Sequence, residues 1–286
     1  MPVVSNAFSR EKLLQIARLL PADLQVLSAL GEMLQDINSE LDEIAALLRR
    51  DVALAARIVR ISNSPMFGGG GGIASIEDAV NRVGFSEILK LVGTATTGRF
   101  AERALDHYAI SALKLRDNML FGAFAAESIA RAAGADVQVA YTAGLLRPLG
   151  MMVLDRAGRG NVEWTERFEP ARFETYSAWE GSIFGIDGCS VTGLILGEWR
   201  FPAEVIAGLR GHHLDRLGDY EDQLACILNL AGCLTHREGR AFAGELRWWE
   251  ITPEKLEAAG VDEEQLESVV ATTTEAFESA VAALAI

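Results

Sequence analysis

The chain has 286 residues, of which 50% are hydrophobic and 7% aromatic, enough to bury one large core or two moderate ones. Its net charge of −14 and pI near 4.8 repel phosphate backbones and anionic lipid, and no dense basic cluster offsets them. Neither nucleic acid nor a membrane surface is therefore expected as a partner.

In chain order, the apolar spacing is helical almost throughout. Leu41, Ile44, Ala45, Leu47 and Leu48 recur at helical intervals after Ser39 and Asp42, which are spaced as a capping box. Ser75 with Asp78 repeats the device. Asp262 with Gln265 does so again ahead of Leu266, Val269, Val270, Ala276, Phe277 and Val281. Pro21, Pro202 and Pro253 mark three more helix starts, because a first-turn proline lacks an N–H that would have no helical partner anyway. The run Gly68 to Gly72 lies between two firm helices. A surface loop is the plain reading, and the rim of a binding site is the functional one, since glycine lets backbone amides approach a ligand. No alternating strand pattern and no Rossmann or P-loop glycine motif is present. The expected fold is all-α, a multi-helix bundle. It divides softly into an N-terminal helical lobe (residues 1–108), a second helical lobe (109–238) and a C-terminal helical cap (239–286). No uninterrupted apolar stretch of roughly 20 residues and no signal-peptide hydrophobic region is found, which points to the cytoplasm.

Chemistry-bearing residues are sparse. Cys189, Cys226 and Cys233 are an odd number at wide spacing, unlike a disulfide framework. Cys226 and Cys233 share a helical face as buried structural thiols. There is no G-x-S-x-G elbow, H-E-x-x-H helix or C-x-x-C pair. The acidic runs Glu40-Leu41-Asp42-Glu43 and Asp262-Glu263-Glu264 sit at helix starts, where the dipole favours carboxylates. His107 and His236 are expected at the surface or at helix ends. Two adjacent indoles, Trp248 and Trp249, cannot share one buried face, so one is expected in the core and the other against another lobe or a partner.

Two stretches together resemble a known family. Ile58-Val59-Arg60-Ile61-Ser62-Asn63-Ser64-Pro65-Met66-Phe67-Gly68, then Ile73-Ala74-Ser75-Ile76-Glu77-Asp78-Ala79-Val80-Asn81-Arg82-Val83-Gly84, look like the signature of HDOD domains. Leu20-Pro21 and Glu43 to Ala56 fit that family's opening. Within the signature Asn63, Ser64, Phe67, Ser75 and Gly84 are expected to be structural. Asn63 in particular should end its helix and bond the backbone of the following loop.

The segment Gly144-Leu145-Leu146-Arg147-Pro148-Leu149-Gly150 resembles the GLLHDIG run of HD phosphohydrolases, in which His and Asp hold a divalent metal. Arg147 and Pro148 stand at those two places, and neither can bind a cation. The same resemblance puts Asn118, Gly188 and Gly232 at three further ligand places and retains only His212 and His213. Two histidines are too few for a catalytic metal, so neither metal nor cofactor is expected. One of the pair should cap helix carbonyls.

The resemblance implies an HD-like helical lobe in a non-enzymatic bacterial signalling module. It would act in trans on a protein partner such as a kinase, a response regulator or a cyclic di-GMP enzyme. The alternative is a sensor of a nucleotide or other small anion in the vacated metal pocket, using Arg116, Asn118, Arg147, His212 and His213. Against it, Arg147 could simply pair with Asp117, Asp187 or Glu180. An active phosphohydrolase is disfavoured by the joint loss of these ligand positions.

Overall fold

A computed structural model describes residues 8–18, 26, 29, 30, 33, 41–68, 72–84, 87–100, 104–159 and 166–285. Among them are fourteen α-helices: α1 (Arg10–Ala17), α2 (Leu41–Leu48), α3 (Val52–Ser62), α4 (Ile76–Val83), α5 (Ile88–Phe100), α6 (Ala112–Ala133), α7 (Val137–Leu146), α8 (Leu149–Arg159), α9 (Tyr176–Phe184), α10 (Gly188–Glu198), α11 (Ala203–Gly211), α12 (Gln223–Arg237), α13 (Pro253–Ala259) and α14 (Glu263–Ala285). Three 3-10 turns, Pro65–Phe67, Leu217–Glu221 and Ala243–Trp248, join them. No strand occurs among the described residues; Leu105 and Ile110 form one isolated bridge. The fold is all-α.

The capping signals operate where they are described. Ser75 accepts from the Asp78 N–H at 3.0 Å. Asp262 and Gln265 form a reciprocal box, each side chain accepting from the other's backbone N–H at 2.7 and 2.9 Å. Pro253 opens α13, and Pro202 is the residue before α11. Ser39, Leu20, Pro21 and Gly69 to Gly71 lie outside the described residues.

Helix α6 is the axis of the bundle. Its residues from Asn118 to Glu127 are all buried, and it packs against α7, α12 and α14. The α6–α7 approach is backbone to backbone at Gly144. A Cβ there would lie 2.9 Å from both Ala123 Cα and Gly122 O, so only glycine fits. A second close crossing occurs at Gly150, where a Cβ would meet Gly188 O at 1.9 Å. Apolar side chains from Leu13 to Ala283 form one large cluster.

The helical run Val137–Arg159 is long and apolar enough to cross a membrane, with a mean hydropathy of 1.3, although it contains no uninterrupted apolar stretch of that length. The sequence reading asked for an unbroken apolar run, whereas Arg147 interrupts this one without lowering its average enough. Its apolar surface is used inside the bundle, since 83% of the relevant window is buried. His107 is not a surface residue. It is buried, its N–H donates to Asp155 Oδ1 at 2.9 Å, and its Nδ1 lies 3.2 Å from the same oxygen. His236 is exposed in the last turn of α12.

Asn63 caps α3 and closes the loop that follows. Its amide donates to Val59 O at 3.0 Å and to Ile73 O at 2.9 Å, while its Oδ1 accepts from the Ile73 N–H at 3.1 Å. One side chain thus satisfies both backbone groups of Ile73 across the glycine run. Gly68 and Gly84 have φ of 88° and 77°, left-handed values that favour glycine. Phe67 is half-buried against the core, and the Ser64 hydroxyl is buried without a hydrogen-bond partner.

Candidate functional site

The α7–α8 junction places Arg147 inside the protein. Its Nη1 donates to Glu245 Oε2 at 2.7 Å, and its Nη2 donates to Asn118 Oδ1. The Asn118 amide in turn donates to Arg240 O at 2.9 Å. The guanidinium also lies 5.7 Å from the Phe242 ring and 5.4 Å from the Trp249 ring. Arg147 and Glu245 are both buried, so each is the charge that makes the other tolerable there.

None of the three carboxylates foreseen for Arg147 pairs with it; Glu245 does. Asp117 accepts from its neighbour Arg116 at 2.6 and 2.9 Å. Asp187 caps α10, accepting from the Ser190 N–H and hydroxyl at 2.8 Å each. Glu180 accepts from Tyr108 OH and the Gly188 N–H, both at 2.6 Å. Burial raises the Glu180 carboxyl to about 7, although these two bonds pull the other way. The candidate anion set is therefore split: Asn118 and Arg147 meet, whereas Arg116 spends its guanidinium on Asp117.

At the end of α11, His212 Nδ1 lies 2.7 Å from Leu209 O. That contact caps the helix and puts the proton on Nδ1. His213 stacks flat on Trp248, with centroids 3.7 Å apart and planes 3° from parallel. Burial, and then the charge of Arg147, lower His212 to about 3; burial, then His212 and Arg147, push His213 well down. Both rings are neutral at pH 7. Cys189, one residue into α10, brings its Sγ to 3.6 Å from His213 Nδ1.

Both indoles are buried, in a small cluster with Cys233 apart from the large core. They do not share a helix face: Trp248 ends a 3-10 turn and Trp249 follows it at φ −94°, ψ 52°, so the rings diverge by 62°. Trp248 donates to Asp215 Oδ1 at 2.8 Å. Trp249 lies over Gly232, where a Cβ would meet three of its ring carbons at 2.5–2.7 Å. Sequence reasoning missed Glu245 and the joining of Cys189 to the histidines. No motif marks Glu245; Cys189 could have been noticed as the neighbour of the ligand place at Gly188.

A hard divalent ion of the HD kind needs carboxylate and imidazole donors from separate elements. At the doublet stand a paired guanidinium and a proline, and at the last place an indole covers a glycine. The residues do not fit that ion.

These features define a helical protein of HD-related fold. The chain belongs to the HDOD family: the family model described as HDOD domain matches residues 20–214. Glu245, Trp248 and Trp249 lie beyond the matched region. An HDOD domain protein from Geobacter sulfurreducens is similar in structure, at 21% identity and a TM-score of 0.68, covering 96% of this chain and 98% of that one. A Marinobacter aquaeolei VT8 protein, provisionally named a signal transduction protein, aligns at 22% identity and 0.68 over 93% of this chain and 58% of its own. A Shewanella amazonensis SB2B protein, provisionally named a phosphohydrolase, aligns at 19% and 0.61, covering 94% and 97%. In sequence, the chain is 24% identical over 182 residues to an uncharacterized protein of Treponema pallidum (strain Nichols). That match takes in 63% of this chain and about a third, 35%, of the relative's length.

Proposed function

We propose that this protein is a non-catalytic regulatory module of bacterial signal transduction, acting in trans from the cytoplasm through protein–protein contacts. The observation that carries this reading is the refilling of the HD metal place. Arg147, Asn118 and Glu245 form a closed, hydrogen-bonded cluster, and Trp249 covers Gly232. The two donor places of the doublet hold a paired guanidinium and a proline, and neither can bind a water-activating ion. The provisional name of the Marinobacter protein agrees with a signalling role. The same cluster counts against an anion sensor, because the Arg147 guanidinium is already engaged by a carboxylate.

A helical regulator of this kind works by presenting a surface that one partner state binds better than another. The expected partner is a kinase, a response regulator or a cyclic di-GMP enzyme. The test is direct binding, by calorimetry, to purified receiver, kinase and cyclic di-GMP proteins from the same genome. Saturable binding to one of them is expected. Binding of cyclic dinucleotides or ppGpp, lost in Arg147→Met, with no protein partner found, would replace this reading with the sensor.

A further inference from the structure

The neighbourhood of Cys189 is not accounted for by a regulatory surface. One nitrogen from each of His212 and His213 and the Cys189 Sγ all lie within 4.8 Å of one another. Because Leu209 O holds the proton on His212 Nδ1, the Nε2 of that ring carries a lone pair. It is buried without a hydrogen-bond partner, and so is His213 Nε2. A buried ring nitrogen whose lone pair meets no donor, as at His212 Nε2, is costly unless a cation takes it. His213 meets Trp248 through its ring face and the Cys189 thiol through its edge, at Nδ1.

The remaining features are those of a ligand shell. A metal-bound histidine usually donates its other N–H to a backbone carbonyl, as His212 does to Leu209. Sulfur and nitrogen bound tetrahedrally to one zinc-sized ion lie about 3.5 Å apart. Sγ and His213 Nδ1 are separated by 3.6 Å, so His213 would bind through Nδ1; Sγ also lies 4.0 Å from His212 Nδ1, which is already bonded to Leu209 O, so His212 would bind through Nε2. A cleft of about 380 Å³, lined by Cys189, His213, Asp187 and Asp215, connects the cluster to solvent. The nearby charge of Arg147 is countered by Glu245 at 2.7 Å.

We propose that Cys189, His212 and His213 bind a single thiophilic dication of the zinc type, with water from the cleft as the fourth ligand. The donor set, one sulfur and two nitrogens, selects zinc over magnesium or calcium. It does not use the Arg147–Pro148 doublet; as a tie between two helices it rests on the regulatory reading, and the cobalt test below reads binding apart from turnover. On binding, the Cys189 thiol loses its proton to solvent and the two neutral imidazoles contribute lone pairs. Burial and the carboxylates of Asp187, Glu180 and Glu245 keep that thiol protonated without the ion, an effect a dication at sulfur reverses. The ion would tie the start of α10 to the end of α11.

The probe is cobalt(II) added to the full-length protein after treatment with chelator. The expected result is tetrahedral visible absorption with a thiolate-to-cobalt charge-transfer band, saturating at one equivalent and displaced by zinc. Cys189→Ser should remove the charge-transfer band, and Cys226→Ser should leave it intact. As a check free of any variant, zinc should slow alkylation of Cys189, read by mass spectrometry, by about tenfold or more. An octahedral cobalt spectrum, a charge-transfer band that survives Cys189→Ser, or unprotected Cys189 would overturn the proposal.

Discussion

Arg147 is a buried guanidinium paired with Glu245 and Asn118. A buried guanidinium is tolerated only while paired, so removing one partner leaves an uncompensated charge. Arg147→Ala should lower unfolding free energy by about 3 to 5 kcal/mol in urea titrations. The double change Arg147→Met with Glu245→Gln should recover most of that loss, because both charges leave together. Asn63 is held differently, by neutral hydrogen bonds across a loop. Asn63→Ala should cost about 1 to 3 kcal/mol by unpairing Ile73. His212 and His213 are neutral when folded and gain protons on unfolding below the ordinary histidine range. The unfolded state then binds more protons, so stability falls as pH drops below 6.5 and for His212 continues to fall toward about 3. Glu180 acts in the opposite direction. Its folded carboxyl, raised from 4.5 to about 7, keeps a proton that the unfolded chain gives up, so its contribution is lost as pH rises through that window. Glu180→Gln should therefore steepen the acid-side fall, as measured by denaturation between pH 4.5 and 6.5.

Among the elements, the 3-10 turn Ala243–Trp248 and Trp249 after it do most to fill the site. They bring a carboxylate to Arg147, a flat indole to His213 and a second indole to Gly232. The absence of a side chain at position 232 is what admits Trp249. Gly232→Ala would push a methyl group to 2.5 Å from the ring, in a packed setting where the indole has little room to retreat. The expected cost is about 1 to 3 kcal/mol, with a changed Trp fluorescence spectrum. An unaltered spectrum and midpoint would mean that the turn is looser than its packing indicates. Restoring Arg147→His and Pro148→Asp alone should yield no metal-dependent hydrolysis, since Trp249 and Gly188 remain.

For the molecule as a whole, the all-helical architecture was legible because apolar spacing, caps and prolines are local signals, and the box at Asp262 and Gln265 forms as spaced. The family was legible from Asn63 to Gly84 and matches residues 20–214. The filling of the site was not, because Arg147 and Glu245 are 98 residues apart and nothing in either neighbourhood announces the other. His107 was misread for the same reason, its partner Asp155 being 48 residues away. That the two indoles diverge was legible, whereas their partners Asp215 and Gly232 lie far off in the sequence and were not. The central claim is that an HD-related frame here carries regulation without hydrolysis, and turnover tests it most directly. With magnesium, manganese and zinc supplied in turn, cyclic dinucleotides, ppGpp and simple phosphoesters should be hydrolysed no faster than in buffer. Metal-dependent turnover by the unmodified protein that disappears in His212→Ala would contradict it.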